Sequence, residues 1–330
     1  MTFRRWTLAA IALAAQSFAI AGTPAQAQSY PSKPVTIIVP LAAGTGMDTL
    51  VRIYAEKLSQ SLGQPVVIEN KPGGAGVVAG EAIAKGPPDG YTLAVATSAV
   101  MAIRPTFFKV RPFEPLTDFV PISLYVKSPF VLIVDPALPV SSVKEFIAYA
   151  KARPGQLSYS SSGIGGAPQL TMELLKQQFG FDLAHVPYRN SPQSIADVAA
   201  GHVAASVAEA GASLPLIKDG KLRALAVTSL TRLPYLPDVS PLAEALGMPG
   251  LEAVSWHVLF VRRETPRAVV DRLHEEMARI MAMPDTQQKI ATIGLIAHQS
   301  QSVEGIQAYI RSETDKWGTL VRQLGLAGSQ

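Results

Sequence analysis

The sequence has 330 residues, no cysteine, and 29 basic against 25 acidic residues, for a net charge of +4. The absence of cysteine excludes a disulfide framework, a thiolate metal site and a lipid-anchored cysteine, so stability must come from an ordinary core, and this length suggests two lobes rather than one. Basic and acidic residues are interspersed without a Lys/Arg cluster or aromatic-basic interleaving, so nothing points to nucleic acid as a partner.

At the N-terminus, Arg4 and Arg5 precede an apolar run from Trp6 to Ala21 and the small-residue site Ala25-Gln26-Ala27. That is the pattern of a secretory signal peptide. The run is broken by Gln16 and Ser17 and falls short of the ~20 apolar residues a spanning helix needs. Residues 1–27 are therefore expected to be cleaved, through general secretion, since Trp6, Thr7 and Leu8 fit the twin-arginine pattern poorly. Losing two arginines and no acid lowers the charge from +4 to +2.

Beyond Ser29, short β-branched runs alternate with helical periodicities. The spacing predicts strands at 35–39, 65–69, 92–96, 130–134, 157–160, 184–186, 203–207 and 222–228, the alternation of an α/β fold with a largely parallel sheet. The first strand breaks at Pro40, passes through Gly44 and Gly46, and enters a helix with Leu50, Ile53, Tyr54 and Leu58 on one face. The strand at 157–160 repeats the plan: a loop Ser-Ser-Gly-Ile-Gly-Gly-Ala-Pro, then a helix carrying Leu170, Leu174 and Leu175. Gly46 to Gly63 and Gly163 to Gly180 have the same spacing, and each second glycine falls where its helix should stop. The apolar stretches 119–134 and 252–261 can carry extended chain between two lobes. The expected domains are then 28–128 plus 256–330 for a discontinuous lobe 1 and 129–255 for lobe 2. Pro266 opens a C-terminal helix with Val269, Val270, Leu273, Met277 and Ile280 on its buried face.

Several chemistries are missing. The loop Gly44-Thr45-Gly46-Met47-Asp48-Thr49 has threonine where a dinucleotide fingerprint needs its third glycine. The motif beginning at Gly74 fits G-x-G-x-x-A but is cut off from its strand by Asn70-Lys71-Pro72-Gly73, and the next strand ends without a ribose-binding acid. No phosphate-loop lysine motif, G-x-S-x-G elbow or H-x-x-x-H pair occurs, so no nucleotide, cofactor or metal is expected. His185, His202 and His274 are read as structural or solvated. Helix N-termini offer unpaired N–H groups and a positive dipole end, and glycine lets an anion approach the backbone. The loops 40–48 and 160–168 suit that task, and ordinary turns between strand and helix are the plain alternative. Asp48 reads as a first-turn helix residue or a ligand contact, and Tyr188 as a hydroxyl aimed into a cleft or packed beneath it. Thr97 and Ser98 sit at the strand end where open α/β sheets bind ligands.

In this order the motifs Tyr30-Pro-Ser-Lys-Pro34, Pro40-Leu-Ala-Ala-Gly-Thr-Gly-Met-Asp48, Val67-Ile-Glu-Asn-Lys-Pro-Gly-Gly74, Pro88-Asp-Gly-Tyr-Thr92, Tyr159-Ser-Ser-Ser-Gly163, His185-Val-Pro-Tyr188, Gly220-Lys-Leu-Arg-Ala-Leu-Ala-Val-Thr228 and Leu236-Pro-Asp-Val239 resemble the substrate-binding proteins of tripartite tricarboxylate transporters, the Bug or TctC-like periplasmic receptors. The resemblance implies a two-lobed periplasmic binding protein of the Venus-flytrap, type II-like kind with two crossover connections. It implies a monomer that does no covalent chemistry, captures a small organic carboxylate or amino acid, and delivers it to the membrane subunits of a transporter. An exported hydrolase of small carboxylates and an orphan receptor for a sensor kinase are the alternatives.

The ligand-binding residues so expected are Leu41, Ala43, Gly44, Thr45, Gly46, Asp48, Thr97 and Ser98 from one side, with Ser161, Ser162, Gly163, Gly166, Ala167, Tyr188 and Glu209 from the other. Three places depart from the family's pattern: Leu41-Ala42 replaces an aromatic and a proline, Gly44-Thr45 replaces Gly-Gly, and Ala208-Glu209 replaces Asp-Asn. Glu209 either faces the cleft, favouring an amine-bearing ligand or excluding a second carboxylate, or turns to solvent.

Overall fold

The computed structural model describes residues 30–73, 76–298 and 301–329. The leader expected at 1–27 lies outside them, as do Gly74 and Ala75 of the second glycine motif. Strand β1 (Val35–Val39) is the run VTIIV, buried at all but one position, as a central strand covered on both faces requires. It pairs in parallel with β2 (Val66–Asn70) and β3 (Thr92–Thr97). Strands β4 (Phe119–Ser128), β10 (Ser255–Arg262) and the short β11 (Ile296–Ala297) complete a six-stranded sheet of order β11-β4-β10-β3-β1-β2.

A second sheet is built from β5 (Phe130–Val134), β6 (Ser158–Ser161), β7 (Ala184–Pro187), β8 (Ala205–Glu209) and β9 (Arg223–Val227), in the order β7-β6-β8-β5-β9. Both sheets are mixed, which corrects the expectation of a largely parallel sheet. β10 runs antiparallel to β3 and β4, and β5 antiparallel to β8 and β9. These strands carry chain arriving from the other sheet, so they are not bound to the helical crossover that a parallel neighbour needs.

Pro129 alone separates β4 from β5, and the return runs from the end of β9 to β10. The two crossings are tied together. Thr228 donates its N–H to the Phe130 carbonyl at 2.9 Å, Phe130 donates to Thr228 Oγ1 at 3.0 Å, and Lys127 Nζ meets Glu252 Oε2 at 3.0 Å. The C-terminal helix Val303–Gln323 packs on both cores: Ile306 and Ile310 join Trp256 in the cluster under the first sheet, while Trp317, Leu320 and Val321 join the cluster under the second. Between them Glu313 Oε2 accepts both indole N–H groups, from Trp256 at 3.2 Å and Trp317 at 3.1 Å.

The two strand–loop–helix units form as the spacing predicts. Helix Gly46–Leu62 follows β1 and buries Leu50, Tyr54 and Leu58. Helix Ala167–Phe179 follows β6 and buries Leu170 and Leu175. Gly63 and Gly180 close them in the left-handed conformation.

Candidate functional site

The ends of β1, β3, β6 and β8 border one cavity of about 620 Å³, whose lining is drawn from both sheets. That size suits a small molecule. β1 delivers Leu41, Gly44 and Gly46 to it, β3 delivers Thr97 and Ser98, β6 delivers Ser162, Gly166 and Ala167, and β8 delivers Glu209. Ala43, Thr45, Asp48, Ser161, Gly163 and Tyr188 are not in its lining.

Asp48 lies beneath the first loop and organises it. Its side chain is buried, and Oδ2 accepts the Gly44 N–H at 2.9 Å and Arg52 Nε at 2.9 Å. Oδ1 accepts Arg52 at 3.1 Å and Asn70 Nδ2 at 2.9 Å. The Arg52 bond first, then the Gly44 N–H and Asn70, pull its pKa from 3.8 to about 2. Of the two readings of Asp48, the structure therefore favours the helix-associated one over a ligand contact. Thr45 caps the helix, its Oγ1 accepting the Asp48 N–H at 3.4 Å and donating to the Ala42 carbonyl at 2.9 Å. Gly44 sits at φ 82°, a left-handed conformation that a side chain would strain. The Gly44 N–H is taken by Asp48, whereas Gly46 and Met47, whose amides at the helix start have no intrahelical acceptor, line the cavity.

The second loop is pinned from below by a network that fixes one histidine tautomer. Gln169 Oε1 accepts the Gly165 N–H at 2.8 Å, so the amide turns Nε2 toward His185 Nδ1 at 3.3 Å, and Nδ1 must accept. His185 Nε2 then carries the proton and donates to Ser161 Oγ at 2.7 Å. Ser161 Oγ in turn donates to the Gly163 carbonyl at 3.0 Å and accepts the Gly163 N–H at 3.3 Å. The imidazole stacks on Tyr159 with centroids 4.8 Å apart, and burial lowers its pKa. This serine–histidine pair does not make a nucleophile. Ser161 is fully buried, and the nitrogen that a catalytic triad would give to a carboxylate faces an amide.

Tyr188 donates its hydroxyl to Asp197 on helix Ser191–Ala199. It packs against the cluster around Val131, Ile133 and Ile195, outside the cavity lining. Ser162, Thr97, Thr49 and Ser128 bring hydroxyls to the cavity with no hydrogen-bond partner among the described residues. Glu209 faces the cavity rather than bulk solvent. Its Oε2 accepts from Ser191 Oγ, and burial raises its pKa.

Sequence reasoning missed the far wall. Ser255 and His257 on β10 line it, with Ser255 Oγ 3.3 Å from Ser98 Oγ, and burial takes the His257 pKa down to about 4, leaving a neutral ring. Ile293, Gly294 and Leu295 reach it from the C-terminal part of the chain. Gly294 (φ 77°) meets Gly211 so closely that an added Cβ would lie 2.6 Å from the Gly211 Cα. Tyr235, packed against the cluster around Val131 and Ile133 on the other face of the second sheet, donates its hydroxyl to the Gly294 carbonyl at 2.7 Å. No periodicity marks these residues, although Gly211 and Gly294 are glycines in otherwise side-chain-rich segments. Among the described residues no cluster of acids and histidines could hold a metal ion.

Residues 50–326 match the family described as the tripartite tricarboxylate transporter family receptor. The chain is 33% identical over 306 residues to the protein BugT of Bordetella pertussis (strain Tohama I), covering 92% of each. It superposes on the solved structure of R. palustris Rpa4515 with adipate at a TM-score of 0.78 and 34% identity, covering 90% of this chain and 99% of that one. MatC (Rpa3494) from Rhodopseudomonas palustris with bound malate gives 0.74 and 26%, covering 88% and 100%. The fold shared with them is the two-domain α/β periplasmic binding protein fold that the resemblance implied.

Proposed function

Because the chain belongs to the tripartite tricarboxylate transporter receptor family, a family of solute-binding receptors, we propose that it captures a small organic carboxylate in the cavity between its two sheets. The observation that carries this reading is the convergence on one cavity of two helix N-termini, at Gly46 and Ala167, with the hydroxyls of Thr97 and Ser162, which have no hydrogen-bond partner among the described residues. A carboxylate held by several amide and hydroxyl donors needs no arginine, because each charge-assisted bond exceeds a neutral one.

The lobes of this reading are residues 28–128 with 256–330, and 129–255. Sheet membership supports them, since β1 to β4 and β10 share one sheet and β5 to β9 the other. Capture would draw the lobes together, and the closed form would be what the membrane subunits of the transporter read. A cleaved leader at 1–27 and a monomer in the periplasm belong to the same proposal. Relatives crystallised with adipate and malate support a carboxylate as the ligand class.

The test is calorimetric titration of the mature protein against small mono-, di- and tricarboxylates and amino acids, each beside its neutral amide. Saturable binding of an acid, without turnover and without binding of its amide, is the expected result. Flat titrations across the panel, from folded protein freed of co-purified ligand, would overturn the reading.

A further inference from the structure

We propose that Glu209 determines which acid the cavity accepts, selecting a small carboxylate that also bears an ammonium group over a dicarboxylate of similar length. The inference rests on carboxylate capture as the cavity's function and adds the chemistry of the ligand's other end.

Three observations carry it. Among the described residues lining the cavity, Glu209 and His257 are the titratable ones, and no lysine or arginine accompanies them. His257 is held neutral by burial, so the single side chain able to carry charge into the cavity is an acid. Glu209 is also only half satisfied: Oε2 accepts from Ser191 Oγ, while Oε1 has no hydrogen-bond partner among the described residues. Finally, Glu209 is fixed in place. It ends β8 opposite Phe130, its carbonyl accepts Ser213 Oγ at 2.9 Å, and Gly211, two residues on, is locked against Gly294. These contacts fix the backbone that presents the carboxyl, and the Ser191 bond orients the carboxyl itself.

The electrostatics then separate the ligand classes. One ligand carboxylate is met by the amides and dipoles at Gly46 and Ala167. A second carboxylate would find no lysine or arginine in the lining and would face the Glu209 carboxyl, where like charges repel. An ammonium group reverses the sign, donating to Oε1 and balancing both the ligand's own carboxylate and Glu209.

The experiment titrates the mature wild-type protein and Glu209→Gln with matched sets: 4-aminobutanoate, 2-aminobutanoate, succinate and butanoate, then 6-aminohexanoate, 2-aminohexanoate, adipate and hexanoate. In the wild type an amino-bearing acid should bind at least about tenfold tighter than the dicarboxylate and the plain acid of its set, a difference of about 1.4 kcal/mol. Glu209→Gln should lose that advantage and gain affinity for the dicarboxylate. Preference of the wild type for a dicarboxylate, as a protonated Glu209 donating to it would produce, overturns the proposal while leaving carboxylate capture intact. So does an equal effect of Glu209→Gln on amino and plain acids. Should the variant not fold, the wild-type ranking decides by itself, and binding of no acid at all removes both this proposal and the function it rests on.

Discussion

Replacing Asp48 by asparagine tests whether the first loop is held by charge. Arg52, Gly44 and Asn70 together donate four hydrogen bonds to the carboxylate. A carboxyl taken from 3.8 to about 2 corresponds to at most about 2.4 kcal/mol. Solvent screens the pair, since the Arg52 side chain is 52% exposed while that of Asp48 is 3% exposed, so the expected contribution is about 1 kcal/mol. The sign follows from the depressed pKa: the contribution is complete above pH 3.8 and is lost as pH falls through about 2. Urea unfolding of mature wild type and Asp48→Asn should therefore differ by about 1 kcal/mol at pH 7, and the gap should close toward pH 2. Equal stability at pH 7, or a gap that stays constant down to pH 2, would refute the argument that charge organises the loop.

Ser162→Ala removes an exposed hydroxyl that has no partner among the described residues. Ligand affinity should fall about tenfold or more, as expected for a hydrogen bond to a charged group, with the melting point of the unliganded protein unchanged; undiminished affinity by calorimetry would remove Ser162 from the clamp. His185→Phe keeps the stack on Tyr159 but deletes the bonds to Ser161 and Gln169, so ligand affinity should drop and stability fall by about 1–3 kcal/mol. Because burial lowers the His185 pKa, the unfolded chain takes up its proton first, and wild type should lose stability as pH falls below 6.5. That loss should be smaller in His185→Phe, and identical pH profiles in thermal melts would contradict the assigned role. Gly294→Ala places a Cβ 2.6 Å from the Gly211 Cα at a left-handed backbone position, which costs at least about 1 kcal/mol. Its melting point should fall by about 2 °C or more, and an unchanged melting point and affinity would show that the contact is dispensable.

What the sequence made legible were the local devices. A β-branched run ending at Pro40, glycines in the loop and an apolar stripe behind them identify a strand, a turn and a helix within one short window, and the same signals recur at Ser158 to Phe179. Long-range pairing left no such signal. Nothing in the periodicity of Asp48 announces Asn70, because their bond depends on β2 lying beside β1. His185 reads from the sequence as structural or solvated, and its grip on the Ser161 loop follows only from the adjacency of β7 and β6. The antiparallel course of β4, β5 and β10 was hidden because an apolar run carries no direction. Ser255, His257 and the segment at 293–295 reach the cavity from the last third of the chain, where the hydrophobic pattern records burial and not which cavity a residue borders.

The contacts around the cavity fall into two kinds, and the difference suggests where the molecule bends. On the crossing side the links are backbone and buried: Thr228 with Phe130, the adjoining strands β4 and β10, and a Glu313 carboxylate shared by one tryptophan from each core. Parting the lobes there would pull Trp317, Leu320 and Val321 out of the second core and expose their apolar surface to water, which is costly. On the far wall the links among the described residues include one tyrosine hydroxyl on the Gly294 carbonyl, a glycine-on-glycine contact and the half-buried Ile296 packed against the cluster around Val131 and Ile133. Water can replace the hydroxyl, the two glycines separate without exposing a side chain, and Ile296 gives up only part of its cover. A motion that keeps the first set and breaks the second would open the cavity at Tyr235 and Gly294 while the paired tryptophans stay joined. The loops that meet the ligand would then ride on rigid lobes, and closing would bring the helix N-termini at Gly46 and Ala167 onto the same carboxylate.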